Sequence, residues 1–327
     1  MRPRRRRGRG LLTKRRLLAL LVPLLLAAYA LWGPAIRGAL GLRGEPTPPA
    51  KRDALRVVSW NLRNFPDEHQ DLELLRSRLR SLDADVIAVQ EVLRPAALEA
   101  LMPEWELAIS ERGGQRDQRV GVLYDPRRVE LLGEPVEHDA LSLGGRVRPA
   151  LSVYVRGRAG GPDFHLVVVH LKAMRDGYAQ RQEQWPRLAD LIAELQTTGP
   201  GAPDRDVILV GDFNTTGPPG GAPEDELRAL AEVLGAVGMR RLDNASGCSA
   251  YWDGPRRDAW QEPSLLDLVW ISDLSEAAGG DARAYGHCAR HRCAAFRSTD
   301  AYPDLDFERV SDHCPVLVDL SLEDDDP

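Results

Sequence analysis

The chain has 327 residues, 43% of them hydrophobic and 28% charged, which suits a domain with a full-sized core and excludes a disordered or fibrous protein. The formal charge of −6 hides an asymmetry: residues 1–16 hold nine basic side chains (Arg2, Arg4, Arg5, Arg6, Arg7, Arg9, Lys14, Arg15 and Arg16) and no acid. Taking those nine from the 43 basic residues leaves 34 against 49 acids, or −15. So acidic a remainder gains little from the counterion release that drives non-specific nucleic-acid binding, unless a bound cation or a basic cleft reverses the sign locally.

Behind the basic run, residues 17–36 (LLALLVPLLLAAYALWGPAI) contain no charged side chain. Twenty helical residues span about 30 Å, enough to cross a bilayer core. The basic flank predicts a cytoplasmic N-terminus and an exported remainder. Ala28-Tyr29-Ala30 offers a signal-peptide cleavage site, and Arg15-Arg16 loosely matches a twin-arginine signal, so anchor and cleaved peptide both stay open. The expectation is a membrane-anchored or secreted protein with its catalytic domain outside the cytoplasm. Residues 37–54, with Pro46, Pro48 and Pro49, read as a linker, 55–322 as one domain, and 323–327 as an acidic tail.

From Leu55 onward, short apolar runs alternate with helical patterns. Strands are predicted over 56–60, 85–89, 121–124, 150–155, 165–169, 207–210, 268–271 and 316–320. Helices are predicted over 70–82, 179–196 and 224–237, where leucines recur at helical spacing. No repeat period is visible, so the pattern implies a single α/β or α+β domain, expected to act as a monomer.

Again and again an apolar strand stops at a polar residue. Val57-Val58-Ser59-Trp60 runs into Asn61, Val86 to Gln90 into Glu91, and Leu166 to Val169 into His170, with Lys172 two residues on. Val207 to Gly211 ends at Asp212 and Asn214; Leu265-Leu266 precedes Asp267; Asp312-His313 precedes the last strand. Strand ends gather at one edge of a sheet, where loops build sites on a rigid scaffold. Oxygen donors with histidine and no thiolate suit Mg²⁺, with Mn²⁺ or Ca²⁺ as alternatives. Such a cation beside His–Asp pairs and neutral amides is the equipment of phosphoryl transfer.

Six segments, VVSWNLRN, DVIAVQEV, VVVHLK, VILVGDFNTT, LLDLVWIS and VSDHCPVLVDL, resemble in order the signatures of the endonuclease/exonuclease/phosphatase superfamily (DNase I-like) across residues 55–320. The resemblance implies an α/β (α+β) fold: a four-layer sandwich of two packed mixed sheets flanked by helices. It implies Glu91, Asn61 and Asp312 as metal residues, His313 as the base on water, and Asp267 as its partner. Asp212 and Asn214 would position the nucleophile and a phosphate oxygen, with His170 as phosphate ligand or general acid. In the nuclease branch the counterpart of His170 pairs with a carboxylate; here Asp117 or Gln118 falls near that place. Arg119, Lys172 and Trp252 are candidate substrate contacts.

Four cysteines remain: Cys248, Cys288, Cys293 and Cys314. In an exported chain they suggest up to two disulfides, with Cys288–Cys293 the shortest closure and Cys248–Cys314 the remainder. His287 to Cys293 also reads as a compact zinc site. This stretch, inside an insertion at 273–309, is expected to form a rim over the site with Tyr251, Trp252, Arg256 and Arg257. The sequence therefore implies a phosphodiester hydrolase. Its substrate is nucleic acid in the leading reading, and a lipid or small inositol-type phosphoester in the second.

Overall fold

Side chains next to each other along a strand part to opposite faces of its sheet, and here both faces are covered. Val57 and Ala88 fall in one buried cluster while Val58 and Ile87 fall in another. Ile208 and Val210 likewise part from Val207 and Leu209. That explains continuous apolar runs in place of alternation. In this computed structural model the described residues are 48, 54–158, 160–254, 258–272 and 280–322. The N-terminal segment, nearly all of the linker, Arg256, Arg257 and the acidic tail lie outside them.

The strands are β1 (Ala54–Phe65), β2 (Val86–Val92), β3 (Glu106–Ile109), β4 (Arg119–Tyr124), β5 (Val129–His138), β6 (Ala150–Gly157), β7 (Asp163–His170), β8 (Val207–Asp212), β9 (Arg240–Arg241), β10 (Ala250–Asp253), β11 (Trp260–Ser264), β12 (Asp267–Ser272), β13 (Arg283–Ala284), β14 (Phe296–Arg297) and β15 (Val316–Ser321). The helices are α1 (Leu72–Ser81), α2 (Pro95–Leu101), α3 (Tyr178–Leu195), α4 (Pro223–Gly235), α5 (His287–His291) and α6 (Leu305–Arg309). One six-stranded sheet runs β13-β15-β1-β2-β4-β3, the other β5-β6-β7-β8-β12-β9. Both mix parallel and antiparallel pairs. The largest cluster lies between them, joining Val57, Val86 and Val122 to Val153, Leu166 and Val210. Leu75, Leu79 and Leu98 of α1 and α2 cover the outer face of the first sheet. Leu188, Ile192, Leu230 and Leu234 of α3 and α4 cover the second. The result is the expected four-layer sandwich.

All three predicted helices and all eight predicted strands are present. The sequence reading missed β5, an edge strand whose Gly133 and Pro135 interrupt the pattern where the register shifts between Leu132 and Val136. Proline is tolerated there because an edge strand need not donate on both sides. Also missed was a three-stranded sheet, β10-β11-β14, built from strands of two to five residues. No helix among the described residues is long and apolar enough to cross a membrane.

The disulfides correct the sequence expectation. Cys248 bonds Cys293, and Cys288 bonds Cys314, with Cα–Cα separations of 5.5 and 6.1 Å. Sequence proximity misled because Cys288 lies in α5 while Cys293 lies beyond its end, where Arg292 and Cys293 both adopt left-handed backbone. Cys288 is fully buried with its N–H toward the Cys314 sulfur at 3.1 Å. A zinc site is set aside for the same reason. His287, Cys288 and Cys314 bring ligand atoms within 4.8 Å of one another, but both sulfurs belong to the bridge.

Candidate active site

Register aligns three site residues in the second sheet. β7 and β8 run parallel with His170 opposite Asp212, and β12 runs antiparallel to β8 with Asp267 opposite Asp212. Opposed residues point to the same face of a sheet, so His170, Asp212 and Asp267 form a row at one edge. Gly211 makes the close approach work. It has φ 138°, and a Cβ there would lie 1.9 Å from the Val169 carbonyl oxygen. Only glycine fits beside that strand.

The first sheet supplies the facing groups at the end of β1 and β2. The register of this pair shifts between Asn61 and Phe65, and that of β2 with β4 between Val89 and Val92. Glu91 (φ 62°), Arg63 and Asn64 (both 52°) adopt left-handed backbone there. Bulges of this kind re-aim side chains at sites, and left-handed non-glycine residues persist only where their surroundings enforce them. One Glu91 oxygen accepts the Asn64 N–H at 2.8 Å; the other faces His170 Nε2 at 3.8 Å. Asn61 Nδ2 donates across the seam to Asp212 Oδ2 at 3.1 Å. The two sheets meet at that bond.

Asp212 is the hub. Besides Asn61, its Oδ2 lies 3.4 Å from His170 Nε2 and 3.8 Å from His313 Nε2. Its Oδ1 accepts the Asn214 N–H at 2.9 Å. Burial raises Asp212 to about 7; His313 pulls it down, and Asp267 and Glu91 push it up. His313 Nδ1 is 2.8 Å from Asp267 Oδ2, which leaves Nε2 as the nitrogen turned toward the cluster. Burial disfavours the charged His313, but Asp267, Asp212 and Asp312 more than offset it and hold its pKa well above the usual histidine value. The His313 backbone is fixed as well. Trp60 Nε1 donates to its carbonyl at 3.0 Å, and its N–H meets Ser311 Oγ at 3.1 Å.

Sequence reading missed Arg148. Its NH2 lies 2.6 Å from His170 Nε2, and it is 8% exposed. Arg148 precedes a strand instead of ending one, so the strand-end rule passes over it. The antiparallel register of β6 and β7, Leu151 opposite Val168, carries the start of β6 to the end of β7. Guanidinium only donates, so Nε2 of His170 must accept, and the proton sits on Nδ1. Burial, with Arg148 and His313, lowers His170 well below its ordinary pKa. His170 is thus a neutral group oriented by arginine.

Neither residue near the expected carboxylate position partners His170: Gln118 donates to Asn64 Oδ1 at 2.7 Å, and Asp117 pairs with Arg119 at 3.0 Å. Arg119 also donates to the carbonyls of Glu111 and Leu93. Its guanidinium is thereby spent away from His170 and Asp212. Lys172 keeps a partly exposed side chain two residues past His170, and its backbone N–H bonds Gln184. Tyr251 is a correction to the expected rim: it is buried against Phe296 with its hydroxyl on the Ala294 carbonyl. Trp252 is 51% exposed.

The donor set fits a hard cation. Glu91 has one oxygen without a hydrogen bond, Asp312 has a partly exposed carboxylate that accepts none, and Asn61 Oδ1 accepts only the Arg63 N–H. Among the described residues no thiolate adjoins these groups.

A sequence model of the "Endonuclease/Exonuclease/phosphatase family" matches residues 58–313. A curated 5'-tyrosyl-DNA phosphodiesterase of Caenorhabditis briggsae is 26% identical over 153 residues, 45% of this chain and 41% of that protein. The match therefore spans less than half of that relative. Among solved structures, D. rerio TDP2 complexed with single strand DNA product superposes with a TM-score of 0.58 at 17% identity, covering 82% of this chain and 99% of that one. The human Nocturnin catalytic domain with bound sulfate gives 0.56 at 17% identity, covering 84% and 97%. At these identities the superpositions establish the fold.

Proposed function

Because the chain belongs to the endonuclease/exonuclease/phosphatase family, a hydrolase family acting on phosphoester bonds, we propose that it is an extracytoplasmic, divalent-metal-dependent phosphodiesterase acting on single-stranded nucleic acid. The observation that carries the chemistry is the buried His313–Asp267 pair with its free Nε2 facing Asp212. His313 takes the proton of a water, the water oxygen forms the new bond to phosphorus, and the ester oxygen departs. Asp267 fixes the tautomer and steadies the protonated ring. The Asn214 amide meets a phosphoryl oxygen, and Arg148 holds His170 beside it. Glu91, Asn61 and Asp312 would hold the cation, which when bound neutralises charge developing on the phosphoryl group. Its preferred identity is Mg²⁺.

The nucleic-acid reading rests on a surface. Ala250 forms an antiparallel bridge with His313, so β10 continues outward from the catalytic histidine. Trp252 lies two residues on, opposite Glu262, and Trp260 two residues beyond Glu262, opposite Arg297. All of them share the face of Ala250, and both tryptophans are about half exposed. Aromatic faces beside a cation suit unpaired bases, at about 1–3 kcal/mol per stacked base. Replacing Trp252 and Trp260 by Ala should lower the ratio of kcat/KM for an oligothymidine to that for bis(p-nitrophenyl) phosphate by about tenfold or more. An unchanged ratio refutes the platform. Turnover of phospholipid vesicles in preference to the oligonucleotide makes the enzyme lipid-directed.

Glu91→Ala should raise the Mg²⁺ concentration for half-maximal activity by about 10- to 100-fold, and excess chelator should abolish wild-type turnover reversibly. An identical metal titration for the variant removes Glu91 from the cation site. Export is supported by the basic and apolar segment at 1–36 and by two disulfides, since such bonds persist in oxidising compartments. Cell fractionation of the full chain tests it; a cytoplasmic pool with reduced cysteines refutes it.

A further inference from the structure

The catalytic pair joins two sheets. Asp267 opens β12 in the second sheet, and His313 precedes β15 in the first. They are 46 residues apart in sequence and touch through one hydrogen bond. Between them lies Ser249, fully buried and bonded to both sides. Its Oγ accepts the backbone N–H groups of Asp267 at 2.8 Å and Leu266 at 3.0 Å. Its carbonyl accepts the N–H of Cys314 at 2.8 Å, and its own N–H bonds the Ser264 carbonyl at 2.8 Å. The next residues extend the seam, through the Ala250–His313 bridge and the Tyr251 N–H on the Asp312 carbonyl at 2.9 Å.

Both disulfides end at this seam. Cys248 adjoins Ser249, and Cys314 adjoins His313; their partners Cys293 and Cys288 lie five residues apart around α5. The Cys293 N–H closes on the Cys288 carbonyl at 3.1 Å, which makes residues 288–293 one hydrogen-bonded turn. A covalent path thus runs from the residue before Ser249, through that turn, to the residue after His313. Loops of 45 and 26 residues are closed by the two bonds. They stabilise the fold, but this placement does something more local.

We propose that Ser249 is the positioning residue of the His313–Asp267 pair and that the two disulfides form a clamp holding it there, so that hydrolysis is competent only in the oxidised chain. Ser249 touches no reacting atom; it sets the backbone from which Asp267 reaches His313. An external dithiol delivers two electrons and two protons to each bridge, yielding two thiols and its own cyclic disulfide. Cys293 is partly exposed while Cys248, Cys288 and Cys314 are buried. The Cys248–Cys293 bond therefore opens first. With the turn released, the Ser249 strand can shift against His313. A displacement near 1 Å in a reacting geometry costs about 10²-fold in rate.

The proposal rests on the hydrolase reading, and its test separates the two. Oxidised full-length protein is assayed on bis(p-nitrophenyl) phosphate with Mg²⁺, then after graded treatment with dithiothreitol. Alkylation and mass counting follow the thiols, and near-UV circular dichroism follows the fold. Opening Cys248–Cys293 is expected to lower kcat about tenfold or more with KM unchanged while the dichroism stays native. Ser249→Ala, with both bridges intact, should give the same split, and Ser249→Thr should restore kcat. The low-field proton resonance of the His313 Nδ1–H, identified by its absence in His313→Gln, should weaken in the reduced and Ser249→Ala proteins. Full kcat in folded, reduced protein overturns the clamp, as does full kcat in Ser249→Ala. Should reduction unfold the chain, the Ser249→Ala kcat and resonance decide. An inactive oxidised wild type defeats the hydrolase reading instead, and the resonance still reports on the clamp.

Discussion

His313→Ala is expected to lower kcat for phosphodiester hydrolysis by about 10²- to 10⁴-fold, with KM little changed, because the variant keeps the groups that bind the phosphoryl oxygens but loses the base. The pH profile carries the same information. Only neutral His313 can take a proton, and its pKa is held well above the usual histidine value once Asp267, Asp212 and Asp312 have outweighed burial. Activity should therefore fall on the acid side of a limb lying above the ordinary histidine range. Asp267→Asn removes the largest raising partner, so that limb should move to lower pH even as kcat drops. The same shift has a stability consequence of defined sign. A raised folded-state pKa stabilises the protein fully below the unfolded value, and that contribution is lost as the pH rises through the folded value. Asp212, raised by burial to about 7, acts in the same direction. In the metal-depleted protein these two groups lower the melting temperature as the pH rises, while His170 and His287, whose burial depresses their pKa values, raise it. Asp267→Asn, which removes the main support of the His313 shift, should tilt the melting profile towards greater relative stability at high pH. Activity surviving His313→Ala would assign the base elsewhere.

Arg181→Ala should destabilise the protein by about 3–5 kcal/mol, among the largest effects of any single change outside the site. Arg181 and Glu226 are fully buried and face each other in α3 and α4. Arg181 Nε meets Glu226 Oε1 at 2.5 Å and NH2 meets Oε2 at 2.9 Å. The remaining donors reach the carbonyls of Lys172 at 2.9 Å and Met174 at 2.7 Å, and Thr216 Oγ1 at 3.1 Å. Glu226 also accepts the Gly217 N–H at 2.8 Å. The pair thus ties the loop after His170 to the loop after Asn214. Removing one partner strands a charge in the interior, whereas removing both leaves none. Arg181→Met combined with Glu226→Leu should recover much of the melting temperature, though not the loop geometry. Urea denaturation of the three proteins checks this; a single variant within about 1 kcal/mol of wild type would show that the pair is replaceable.

Arg181 also marks a limit of reading along the chain. In QRQEQWPRL it looks like one of several polar residues on the solvated side of an amphipathic helix. Its burial follows from α4 packing against α3, which helical spacing does not encode. Asp212, Asn214, Glu91 and His170 were legible because each interrupts an apolar run, and that interruption is a local signal. Tyr251 and Trp252 looked alike as rim aromatics. Pairing with β11 sends one inward and the other outward.

By itself, the sequence determined eight of the strands, the three longest helices and the edge where the polar residues collect. Period and interruption are properties of neighbours in the chain, and covering both sheet faces requires apolar runs whatever the final packing. The tertiary structure alone decided which distant groups meet. It brought Arg148 to His170 through an antiparallel register, turned Arg119 away to Asp117, and joined Cys288 to Cys314 in preference to its near neighbour Cys293. A one-residue change of register moves every side chain of a strand to the opposite face. Contacts of this kind are fixed only when the sheets close on their shared core.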